Sequence, residues 1–153
     1  MKNKSSEILS TSLLVGTLDI LAAILYFFIK TGNGDVSMVF KYIASGLFGQ
    51  RVFAGSNGWA LAGLLLHYCI AFAFTVIFYF ALPRAQVLSK NSLLAGIGYG
   101  AFIWVTMNFI VLPLSHIGRR PLDGENVAIN LLILVTCIGI PLSIRANKFI
   151  QEK

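Results

Sequence analysis

Residues 15–25 read VGTLDILAAIL, an apolar stretch interrupted by the hydroxyl of Thr17 and the carboxylate of Asp19. It lies inside a longer apolar run, about 9–29. A helix needs roughly 20 apolar residues to cross the hydrocarbon of a bilayer. This run has that length, and so do three others, at about 59–82, 93–114 and 127–144. Backbone groups in hydrocarbon must pair internally, so each run is expected as an α-helix. The fold expected is an all-α integral membrane four-helix bundle in a single domain spanning 1–153.

Composition agrees. Of 153 residues, 57% are hydrophobic and 12% charged, against about 25% charged in a soluble domain. Mean hydropathy is +0.80. The formal charge of +6 sits on residues that flank the apolar runs, where cations anchor helices and set topology. That placement argues against nucleic acid as a partner and for the lipid bilayer. The first run follows Lys2 and Lys4, but it is longer than a signal-peptide core of about 7–15 residues. It is therefore expected to stay as an anchor.

With both termini cytoplasmic, the inner side carries Lys2, Lys4, Arg84, Lys90, Arg145, Lys148 and Lys153. The outer side then carries Lys30, Lys41, Arg51, Arg119 and Arg120. The excess of cations inside, and the loop 83–91 with its Arg84 and Lys90 and no acid, favour that orientation. The connection between the first two runs is too apolar for a solvated loop. TGNGD (31–35) is turn chemistry with Asp35 as a helix cap. The next segment, VSMVFKYIASGLFG (36–49), repeats apolar residues at helical spacing. At this length it predicts a short interfacial or re-entrant helix on the outer side.

Asp19 costs about 2.5–3.5 kcal/mol at the centre of a spanning helix, so it should face protein. Helical spacing places it on one stripe with Ser12, Gly16 and Ala23. His67 shares a stripe of the second run with Ala60, Gly63, Ala71 and Thr75. The third run offers Gly98, Ala101, Val105, Asn108, Leu112 and Ser115, and the fourth carries Asn130 and then Pro141. Under the antiparallel topology Asp19, His67, Asn108 and Asn130 converge on one depth zone. Two accounts stand. The four hydrogen-bond across helices and fix the packing, or Asp19 and His67 form a proton or ligand site.

Other signals are weaker. Cys69 and Cys137 fall inside spans and are expected as buried thiols; they give neither a disulfide framework nor a metal set. Tyr26, Phe27, Phe28, Trp59, Tyr79 and Phe80 are expected near span ends as lipid-facing or belt aromatics, and Trp104 as packing. Arg119 and Arg120, with His116, are candidates for lipid headgroups. GIGYG (96–100) is expected as a helix-packing segment. No catalytic or phosphate-binding motif is present, so the sequence leans away from an enzyme without deciding it, and no cofactor is implied. Four helices of this length are expected to bury a narrow polar seam, so conduction would call for a homo-oligomer.

The blocks GTLDILAA (16–23), YIASGLFG (42–49), GLLLHY (63–68) and MNFIVLPLS (107–115) resemble short bacterial four-span inner-membrane proteins, distantly the YagU-like ones. The resemblance covers the chain from the first span to Ser115. It implies the bacterial cytoplasmic membrane and adds no catalytic residue. The function favoured is a non-catalytic accessory or stress-related component. The alternatives are a small proton-coupled transporter or channel using Asp19 and His67, and a membrane enzyme acting on lipid.

Overall fold

The computed structural model describes residues 3–81, 91–119, 121 and 123–151. Long helices follow the apolar runs: α1 (Lys4–Thr31), α4 (Gly58–Ala81), α5 (Ser92–Leu114) and α6 (Gly124–Gln151), each long and apolar enough to cross a membrane. Between α1 and α4 lie α2 (Ser37–Phe48) and the single turn α3 (Arg51–Ala54). Among the described residues there is no strand. Helix α6 runs about two turns past the apolar segment, because Arg145, Asn147 and Lys148 continue the helix beyond it.

Polar residues set the helix limits. The Asn3 side chain accepts the Ser5 N–H at 3.2 Å at the start of α1, and Gly32, at φ 65°, ends it with its N–H on Phe28 O. Asn91 Oδ1 accepts from Leu93 and Leu94 at the start of α5. Asp35 Oδ1 accepts the Ser37 N–H at 3.0 Å, so the acid of TGNGD does help to start α2.

The bundle is apolar outside and partly polar inside. Leu21 and Leu25 on α1, Leu61 and Leu65 on α4 and Phe109 on α5 are exposed, while Thr11, Ser12, Thr75 and Ser143 are buried. Lipid tails are as apolar as leucine, so small and hydroxylic residues, not leucines, bring such helices together. Helix α1 packs on α4 and α6, and α5 packs on α6. A Cβ on Gly16 would stand 3.0 Å from the Tyr68 ring and 3.2 Å from Ala71 Cβ, which explains how tightly α1 meets α4. A Cβ on Gly96 would be 2.7 Å from Ile140 Cα, and one on Gly100 2.6 Å from Val135 Cα. GIGYG is thus the contact of α5 with α6. Helices α4 and α5 are tied by Tyr99, whose hydroxyl donates to Phe74 O at 2.6 Å and whose ring meets Phe78 edge-on.

Helix α2 lies against α4, where Gly63 leaves no room for a Cβ beside the Phe40 carbonyl. It is held from the other side by the His116 N–H, which donates to Gly46 O at 2.9 Å. Lys41 is 8% exposed and its Nζ donates to Gly55 O at 3.4 Å. This short helix therefore packs into the bundle at the end away from the termini, here termed the far end.

The third expected stripe is corrected. A Cβ on Gly98 would meet nothing within 4 Å, and Val105 is exposed. The buried face of α5 is Ala95, Gly96, Gly100 and Ile103, because the two glycines decide which side can approach α6. Cys69 is also exposed, whereas Cys137 is partly buried. Nearly the whole loop 83–91, on which the orientation partly rests, lies outside the described residues.

Candidate functional site

Pro113 and Pro141 lack the N–H of a helical residue, and their rings crowd the carbonyl one turn back. In both helices a wide π-helical turn ends just before the proline: Met107–Val111 in α5 and Leu134–Gly139 in α6. There the Leu112 N–H reaches five residues back to Met107 O, and the Ile140 N–H to Val135 O. A wider turn slows the rotation of the chain, so residues four apart stay on one side. Trp104, Asn108 and Leu112 on α5 line one wall, and Asn126 and Asn130 from the regular turns of α6 line another together with Leu134 and Ile138 of its wide turn.

Those walls border a cavity of about 840 Å³. Its other sides come from α1 through Asp19, Ala23 and Phe27, from α4 through His67, Ile70 and Phe74, and from α2 through Tyr42 and Ile43. It extends to Lys30, Thr31, Pro121 and Asp123, which are exposed at the far end. A chamber of this volume is more than the narrow seam expected of four helices. Helix α2 contributes Tyr42 and Ile43 to its wall, and the wide turns contribute Met107, Asn108, Leu134 and Ile138.

All four polar candidates line this cavity. Asp19, His67 and Asn108 are half-buried, and Asn130 is exposed within it. The His67 Nε2–H donates to the Gly16 carbonyl at 2.8 Å. That bond crosses from α4 to α1, orients the ring and leaves Nδ1 as its acceptor. Asp19, one turn along α1, lies within electrostatic reach of the imidazole, and its carboxylate makes no hydrogen bond among the described residues. Asn108 donates one N–H to Trp104 O at 2.9 Å, and Asn130 donates one to Asn126 O at 2.7 Å. The polar groups are therefore held by their own helices or by a backbone carbonyl rather than by one another. Of the account in which the four hydrogen-bond across helices, the His67 bond to Gly16 O is the part seen, and no hydrogen bond joins two of the four side chains among the described residues.

The far rim is latched. Tyr26 donates to Asn126 Oδ1, Asn126 donates to Asp123 Oδ2 at 2.8 Å, and Lys30 pairs with Glu125 at 2.5 Å. These contacts join the end of α1 to the start of α6. Tyr26 and Phe27, expected as belt residues, line the cavity instead. Trp104 does so too. Arg119 is exposed, which suits a headgroup contact, and Arg120 lies outside the described residues.

A second polar cluster lies at the end that holds the termini, and sequence reasoning missed it. Glu7 is 7% exposed. It accepts from Arg145 Nε at 3.2 Å and from Thr11 Oγ1 at 3.4 Å. With the Thr11 proton so used, the Tyr79 hydroxyl donates to Thr11 Oγ1 at 3.2 Å. Tyr79, expected at the lipid surface, is 1% exposed. Arg145 also donates to Ser10 Oγ at 3.3 Å, and Asn147 to Ser92 Oγ at 2.7 Å. Glu7 precedes the apolar run, so by hydropathy it looks like a solvated helix start. Only its distance from Arg145 across 138 positions reveals the pair.

Among the described residues no cluster of His, Cys, Asp and Glu could hold a metal ion. No family model, curated protein or solved structure matches the chain. Fold and site alone define the class: a multi-pass helical membrane protein with a cavity that carries an acid and an imidazole on its wall.

Proposed function

We propose that the protein is a small proton-coupled transporter of the bacterial cytoplasmic membrane, with both termini in the cytoplasm. The observation that carries this reading is the placement of Asp19 and His67 on the wall of one large cavity that reaches the far end. Ligand cavities run to about 300–1,000 Å³ with a few convergent polar groups, and intramembrane ionisable residues are functional candidates by default. An accessory component needs packing alone, and a chamber of about 840 Å³ is surplus to that role. The cavity opens away from the termini, and the Glu7–Arg145–Tyr79 cluster ties α1, α4 and α6 together at the other end, which suits one state of an alternating-access cycle.

The test is a vesicle assay. The purified protein is reconstituted with a pH dye inside, a proton gradient is imposed, and cationic, zwitterionic and anionic organic solutes are added in turn. One class is expected to speed collapse of the gradient. Asp19→Asn, which keeps size and loses charge, is expected to lower that rate at least tenfold, equivalent to about 1.4 kcal/mol in barrier. Collapse no faster than in protein-free vesicles for every class, or an unaffected Asp19→Asn, overturns the reading.

A further inference from the structure

The hydrogen-bonding character of the cavity narrows what it takes. Its deepest charged group is the Asp19 carboxylate, an acceptor only, which makes no hydrogen bond among the described residues. His67 uses its Nε2–H on Gly16 O and keeps Nδ1 to accept. Asn108 and Asn130 each use one N–H on a backbone carbonyl, which leaves both Oδ1 atoms to accept. Four side chains that line one cavity thus retain acceptor atoms with no hydrogen bond among the described residues, and a single N–H remains on each amide. Between them stand Phe27, Phe74 and Trp104, whose ring faces attract cations.

Charge points the same way. Lys30 lines the rim, but Glu125 neutralises it at 2.5 Å. Asp123 adds a second carboxylate at the mouth. We propose that the cavity binds a monovalent organic cation that has N–H donors and an apolar body. The donors meet Asp19, His67 Nδ1 and the two amide oxygens, and the apolar part lies against the aromatic walls. This rests on the transport reading for the use of the site, and adds the class of substrate. The same carboxylate cannot hold a proton and the cation together, so the two compete. Among the described residues, the titratable groups that line the cavity with Asp19 are His67 from α4, Tyr26 and Lys30 from its own helix, Tyr42 from α2 and Asp123 from the turn before α6, with none from α5; of these His67 lies within electrostatic reach of Asp19. Protonation of Asp19 removes the attraction, so acid expels the ligand.

Benzylguanidinium is the probe, because a guanidinium stays charged throughout the useful pH range. Benzylurea has the donors without the charge, and benzyltrimethylammonium has the charge without the donors. Trp59 and Trp104 are the chain's two tryptophans. Trp59 lies at the start of α4 against Phe48, away from the cavity, so Trp59→Phe leaves Trp104 as a reporter on the cavity wall. In phosphatidylcholine nanodiscs, benzylguanidinium is expected to quench Trp104 with at least about tenfold higher affinity than either analogue. The affinity is expected to fall as pH drops far enough to protonate Asp19, and to fall at least about tenfold in Asp19→Asn with an unchanged melting curve. Asn108→Leu, which leaves every charge in place, is expected to weaken benzylguanidinium and to spare benzyltrimethylammonium.

Equal binding of the three probes, or binding indifferent to pH and to Asp19→Asn, overturns the proposal. Competition by phosphatidylethanolamine added to the nanodiscs supports a lipid ammonium headgroup as the natural source, and lack of competition supports a free solute. The two readings fail separately. Proton flux driven by an anionic solute, without benzylguanidinium binding, sinks the cation and keeps the transporter. Binding without flux does the reverse.

Discussion

At the scale of single residues, this protein inverts the usual placement of charge. Glu7 is nearly enclosed, and Arg145, whose side chain is 34% exposed, reaches it from the far end of the chain. Removing one partner of a buried hydrogen-bonded group costs about 1–3 kcal/mol. Arg145→Met is therefore expected to lower the melting temperature, because Glu7 keeps only Thr11. Glu7→Gln together with Arg145→Met should recover part of the loss. A thermal double-mutant cycle in detergent checks it; additive losses would show that the two residues do not interact. Glu7 also marks where the sequence falls silent. Asp19 was conspicuous because apolar residues surround it, whereas Glu7 sits among Lys4, Ser5 and Ser6 and looks ordinary. Tyr79 misled for the opposite reason: an aromatic near a span end suits a membrane interface, yet its hydroxyl found a partner in Thr11.

At the scale of elements, the presence and rough placement of the spanning helices were legible because hydrocarbon thickness demands apolar runs of that length, although α1 begins before its run and α6 ends beyond its own. What lay hidden was rotation. Simple helical spacing put Gly98 and Val105 on the inner face of α5, but the approach of α6 selects Gly96 and Gly100, and the wide turn then brings Asn108 to the cavity. The two kinds of glycine make a paired prediction. Gly100→Val would drive a side chain into the backbone of α6 at Val135 and is expected to abolish a monodisperse folded species in size-exclusion chromatography. Gly98→Ala, with open space around it, is expected to leave that profile unchanged and to raise stability by about 0.5–1 kcal/mol. If the two variants behaved alike, the packing of α5 on α6 would not be the one described.

At the scale of the molecule, composition alone announces the solvent: leucines outward, hydroxyls and an acid inward. The cavity was not legible, since its lining comes from five helices and the turn before α6, and spacing along one run does not show how the others face it. The direction of the chain through the membrane is open to direct chemistry. In a background of Cys69→Ala and Cys137→Ala, Arg119→Cys is expected to react with a membrane-impermeant maleimide on intact bacteria. Ser6→Cys, exposed at the other end, is expected to react only after permeabilisation. The reverse pattern would turn the molecule over.

The paired wide turns have one more consequence. Each contains a spare residue, and a spare residue can migrate along a helix by exchanging one carbonyl partner for the next, with no bond lost for long. In α6 that migration would have to pull Val135 off Gly100 and Gly139 off Gly96, so the joint is riveted to its neighbour where it would otherwise slip.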